Sequence, residues 1–202
     1  MNPQQELPPN YLDEIAPQTQ KRSFVINKTR LIVLIGILAV VIMSVLALIV
    51  GQINSARVQP WERLTARLAS TDKIVGSSEG KIKNSQLRST NSSLNILLTN
   101  TQRDLATPLA TIGINSKKLM PSIISDESSD EMLARLEDAR LNAKYDSTYA
   151  REMSYQLSNL LTLLQQLYSS SSNAKNQDFL QTTYDNFAPV QKTLSEFSAS
   201  NE

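Results

Sequence analysis

Residues 31–51 read LIVLIGILAVVIMSVLALIVG, a run with no charged residue, no side-chain amide and no proline. A helix rising about 1.5 Å per residue over that run extends about 31 Å, the hydrocarbon thickness of a bilayer. It reads as a transmembrane helix that divides the chain into a polar tail, residues 1–30, and one helix-forming block, residues 52–202.

The run is too long for the apolar region of a cleaved signal peptide, and no small-x-small site follows it, since Asn54-Ser55-Ala56 lacks a small residue at the −3 place. An uncleaved signal anchor is the expectation. Lys21, Arg22, Lys28 and Arg30 lie on its N-terminal side, against Arg57, Arg63 and Arg67 on the other. A short flank dominates orientation, whereas a long block translocates largely regardless of its charge. The tail is therefore expected in the cytoplasm and the block on the extracytoplasmic side of a single-pass cell-membrane protein, with the lipid bilayer as a partner. A type IV pilin has a similar layout, but its apolar stretch carries an acidic residue near the start and this one does not. Ala47 and Gly51 form a small-xxx-small pair that would let two helices approach, which leaves a homodimer open.

The tail holds Pro3, Pro8, Pro9 and Pro17 among many glutamines, a composition that cannot bury a core. One reading is a disordered leader that only sets topology. The other concerns Tyr11, Leu12 and Ile15, which fall at helical spacing between Pro9 and Pro17 and would offer a single apolar turn to a cytoplasmic protein partner.

Two absences restrict the chemistry. With no cysteine there is no disulfide, thiolate nucleophile or Cys-based metal centre. With no histidine there is no imidazole base, Ser-His-Asp triad or Glu-x-x-His di-iron motif. Carboxylate-only, Ser-Lys, Mg²⁺ and Ca²⁺ chemistries stay open. A net charge of +1 argues against a nucleic-acid partner.

In the block, Pro60 suits either the first turn of a new helix or a bend in one continuous with the anchor. Trp61, Leu64, Leu68 and Val75 recur at helical spacing, Trp61 reading as core or as an interface anchor, and residues 76–80 break the pattern. From Lys81 a long helix is expected through Leu87, Leu94, Leu98 and Leu105, bent but not ended by Pro108. Residues 114–125 read as a short apolar helix-turn. The acidic run at residues 125–131 is expected to cap a helix, the alternative being a metal site without EF-hand spacing. Leu136, Ala143, Ala150, Leu157 and Leu164 repeat every seven residues, so residues 130–171 read most economically as one long helix, the alternative being a hairpin broken near Asp146. A last helix carries Phe179, Leu180, Phe187, Leu194 and Phe197, with Pro189 inside it.

The candidate chemistry is thin. Ser-x-x-Lys occurs at Ser78/Lys81 and Ser172/Lys175 without a Ser-Asp-Asn or Lys-Thr-Gly partner, in serine-rich turns where such pairs arise by chance. Glu137 and Asp138 stand three residues from Arg140 and Arg135, and Glu152 follows Lys144 and Arg151, which reads as solvated ion pairs along one helix. No catalytic, metal or cofactor site is expected.

The tail PPNYLDEIAPQ, the signal anchor and the segments LRSTNSSLNILLTNTQRDLATPL and DARLNAKYDSTYAREMSYQL together resemble a group of uncharacterised single-pass membrane proteins of small-genome bacteria. That resemblance covers most of the chain and implies placement in the bacterial cell envelope. A likeness to ferritin-like bundle domains fails at the metal motif, for want of histidine.

The expected architecture is all-α: an N-terminal single transmembrane helix, then an antiparallel helical bundle of three long helices and one or two short ones. The expected function is a non-enzymatic, membrane-anchored extracytoplasmic bundle in protein–protein or envelope interactions. The alternative is a ligand-binding sensor bundle, like those of chemoreceptors, signalling through a separate chain. A concave pocket between helices lined by Arg, Tyr or Asn would favour the sensor; a well-filled apolar core favours the scaffold.

Overall fold

A computed structural model describes residues 28–116 and 118–200 of the chain, and every regular element among them is α-helical. Two units are distinguished, Met1–Ile49 and Val50–Glu202. The docking residues Tyr11, Leu12 and Ile15, and the cations Lys21 and Arg22, lie outside the described residues.

The first helix, α1, is Lys28–Ser78, with Pro60 inside it and not in its first turn. Among the described residues no helix is long and apolar enough to cross a membrane. Of the expected anchor, the described side chains are those of residues 36, 37 and 39–45; the others, with those of Lys28 and Arg30 and the Ala47–Gly51 pair, lie outside the described set.

In the second unit, α2 (Ser85–Asp104) buries Leu87, Asn91, Leu94, Leu98 and Thr101, an alternation of four and three that keeps one face inward. Asn84 starts it by accepting the N–H of Leu87 at 3.1 Å. Pro108 does more than bend this helix. Lacking an N–H, it cannot bond the carbonyl of Asp104, and α2 ends there; a separate short helix, α3 (Ala106–Thr111), follows and buries Pro108 and Leu109. A second short helix, α4 (Pro121–Asp126), tucks Ile123 into the interior.

The single helix expected over residues 130–171 is two: α5 (Asp130–Leu141) and α6 (Tyr145–Ser170). The chain between them reverses through Ala143, whose φ of 56° lies in the left-handed region. The N–H of Lys144 returns to the carbonyl of Ala139 at 2.8 Å and that of Ala143 to Arg140 at 3.3 Å, the paired bonds of a Schellman ending. Continued straight, the helix would carry Met132 about 20 Å beyond Tyr145. Folded back, Met132 and Leu136 join the same core as Tyr149 and Met153. Burying such side chains is worth about 1.5–3 kcal/mol each, more than the 1–2 kcal/mol of one left-handed residue.

The last helix, α7 (Ala174–Ala199), begins at Asn173, which accepts the N–H groups of Lys175 and Asn176. It packs along α6 and also against α2. The part of α1 in the second unit joins the core through Leu64, Leu68, Ile74 and Val75, and Trp61 is buried with them, in agreement with its core reading.

Candidate functional site

Two helix endings and two helix beginnings meet at one end of the second unit. Helix α1 ends at Ser78, and Gly80, with a φ of 78°, turns the chain, the N–H of Lys81 returning to the Ser78 carbonyl at 3.1 Å. The α5–α6 turn lies opposite. Asp146, in the first turn of α6, fastens the two: its carboxylate accepts the N–H of Lys83 at 3.0 Å and of Asn84 at 2.7 Å. Between them opens a cleft of about 580 Å³, lined by Lys81, Lys83, Asn84, Arg140, Lys144 and Tyr145 and bounded by Phe197 of α7.

Its electrostatics are lopsided. Four cations and one carboxylate line the cleft, in a chain whose net charge is only +1. Asp146 already serves two backbone N–H groups. Arg140 holds Glu137 at 2.7 Å, and this hydrogen bond keeps the Glu137 carboxyl below the usual carboxylate range. Among the described residues Lys81, Lys83 and Lys144 form no ion pair. No side chain caps the start of α6, where Lys144 occupies the N-cap position.

Tyr145 roofs the apolar side. Its hydroxyl donates to Ser78 Oγ at 2.9 Å, and Ser78 donates in turn to the Ile74 carbonyl at 2.7 Å. Burial pushes the Tyr145 phenol up from its ordinary value, and the charges of Glu137 and Asp146 add to the shift. Ser78 is wholly buried and its hydroxyl committed, so the first Ser-x-x-Lys pair offers no accessible nucleophile. Ser172 and Lys175 of the second are exposed at the entry to α7.

A second polar cluster is structural. Glu127, which the sequence groups with the acidic cap, is buried, with 4% of its side chain exposed. It accepts Arg67 at 2.7 Å and Arg63 at 3.0 Å, and Arg67 also donates to the Asn159 carbonyl at 3.0 Å. The rest of the acidic run meets the capping expectation only in part: Asp130 and Glu131 stand in the first turn of α5, but Ser129 at the N-cap makes no side-chain cap hydrogen bond, and Ser125 and Asp126 end α4. Among the described residues no group of three or more carboxylates is placed to hold a metal ion. The ion pairs differ in part from those along one helix: Arg140–Glu137 is local, but Arg135 reaches Glu152 at 2.9 Å across the α5–α6 hairpin.

Neither the cleft nor Glu127 stands out in the sequence. Lys81, Lys83 and Lys144 read there as ordinary cations near helix ends, and only the fold brings residues 81–84 beside residues 140–146. Compared with known proteins, the chain matches no family model, no curated protein and no solved structure.

Proposed function

We propose that this chain is a membrane-anchored, non-enzymatic helical bundle, its tail cytoplasmic and its residues 52–202 extracytoplasmic, acting in protein–protein or cell-envelope interactions. One observation carries the reading. Ile37, Val40, Val41, Ile42, Met43 and Val45 are all exposed, and at 100° per residue they occupy every side of α1. The polar side chain among them, Ser44, donates its hydroxyl to the Val40 carbonyl at 2.8 Å. A helical surface apolar all round, with its hydroxyl satisfied internally, suits hydrocarbon and not water. The continuous apolar core of the second unit supports a scaffold, and the burial of Ser78 removes the nearest candidate for Ser-Lys catalysis.

In this reading Lys21, Arg22, Lys28 and Arg30 hold the tail on the cytoplasmic side, and Tyr11, Leu12 and Ile15 dock a cytoplasmic protein. Fractionation tests the anchor. The full chain should stay with membranes through an alkaline carbonate wash, and a chain lacking residues 31–51 should be released. Release of both would overturn the reading. Affinity isolation from detergent-solubilised membranes, with and without residues 1–20, tests the tail: a stoichiometric partner lost on truncation supports docking there, and one retained argues against it.

The second reading, a ligand-binding bundle signalling through a separate chain, is favoured by the cleft, which is concave and lined by Arg140, Tyr145 and Asn84.

A further inference from the structure

We infer that the cleft between the α1–α2 turn and the α5–α6 turn binds a small polyanion, a ligand carrying two or more phosphate-like charges. The inference supplies a ligand class for the second reading above and does not depend on the membrane placement.

Three observations converge. First, Lys81 and Lys83 come from one turn, Arg140 and Lys144 from another, and they line a single opening of about 580 Å³, the size of pockets that take small molecules. Counting Glu137 beside Arg140, the site keeps a surplus of two positive charges. Gathering like charges is unfavourable unless something offsets it. The negative ends of α1 and α5, which finish here, offset part of it. They leave Lys83 and Lys144 in no ion pair, while Lys81 shares the charge of Glu137 with Arg140. Second, α6 begins at the cleft with no side-chain cap, and Tyr145, Asp146 and Ser147 of its first turn line the opening. The Asp146 carboxylate is engaged by the backbone N–H groups of Lys83 and Asn84. Third, the cleft is bordered by two left-handed residues, Gly80 and Ala143.

The chemistry favours phosphate over a single carboxylate. Lysine ammonium groups act as point charges and suit tetrahedral, multiply charged oxyanions, and Arg140 keeps donors on a guanidinium already oriented by Glu137. Four cations on two turns match a ligand with charges on more than one centre, such as a di- or triphosphate chain or a phosphorylated headgroup.

The test uses the full chain in uncharged detergent at physiological ionic strength, titrated calorimetrically with tripolyphosphate. One-to-one binding is expected. K81Q/K83Q should weaken it about tenfold or more, through loss of two charge-assisted contacts. K175Q/K192Q, which removes the same charge elsewhere on the bundle, should change it less than about twofold. Circular dichroism of each variant verifies that the fold survives. No binding by the parent overturns the inference. Equal losses in both double variants, or orthophosphate binding as tightly as tripolyphosphate, overturn it as well. Cosedimentation with phosphatidylglycerol vesicles against phosphatidylcholine vesicles separates the sources: capture lost in K81Q/K83Q assigns a lipid headgroup, and tripolyphosphate binding without such capture assigns a soluble ligand.

Discussion

The hydroxyl of Tyr149 on α6 donates to Oδ1 of Asn91 on α2, and the Asn91 amide nitrogen donates to the Val75 carbonyl on α1 at 3.3 Å. One buried asparagine thus ties three helices together. Tyr149 and Asn91 are both buried, so each polar group relies on the other. Tyr149→Phe removes the donor and leaves a buried carbonyl oxygen unsatisfied. Chemical denaturation should show a loss of about 1–3 kcal/mol. Tyr155→Phe, at an exposed site of the same helix, should stay within about 0.5 kcal/mol.

The same tyrosines predict alkaline sensitivity. Burial raises the phenols of Tyr149 and Tyr145 above their ordinary value; Tyr149 is raised further by its neighbour Tyr145, whose ring stacks on it at 6.2 Å. In the unfolded chain both ionise near their usual value, while the folded state keeps the protons. Their contribution is therefore complete below about pH 10 and falls as pH rises from there toward the folded values. Urea unfolding from about pH 9 to pH 12 should show declining stability, less steeply in Tyr149→Phe. A flat profile would contradict the assignment.

The buried carboxylate gives a graded prediction. Arg67 is 14% exposed and Arg63 49%, while Glu127 is shared between them. Arg67→Ala should cost about 3–5 kcal/mol, since it strips the better-buried partner from Glu127 and frees the Asn159 carbonyl. Arg63→Ala should cost less than about 1 kcal/mol. Equal costs would mean that burial does not govern this cluster.

Turn residues predict opposite signs. Ala143→Gly relieves a left-handed alanine and should stabilise by about 1 kcal/mol, whereas Gly80→Ala introduces the same strain and should destabilise by about 1–2 kcal/mol. Thermal melts of the two variants check both at once.

The helical stripes were legible because burial at every third or fourth residue leaves a periodic trace: Leu87, Leu94 and Leu98 on α2, and Leu157, Leu160 and Leu164 on α6, lie where their spacing predicts. The α5–α6 break was legible only as the alternative of a hairpin near Asp146. Ala143 keeps the seven-residue repeat and is a strong helix former, so the repeat favours a continuous helix. The turn is imposed by packing of Met132 and Leu136 against distant side chains. Glu127 was misread for a related reason, since its partners Arg63 and Arg67 lie 64 and 60 residues away and spacing along the chain carries no trace of them. The cleft shares this origin, its cations converging from two distant turns.

The central claim is a membrane-anchored bundle facing outward, and the absence of cysteine makes it directly testable. Single substitutions Ser23→Cys in the tail and Ser92→Cys on the exposed face of α2 each supply one thiol to the full chain. A membrane-impermeant maleimide applied to intact cells should modify Ser92→Cys at once and Ser23→Cys only after lysis. The reverse pattern, or protection of both until lysis, would contradict the account.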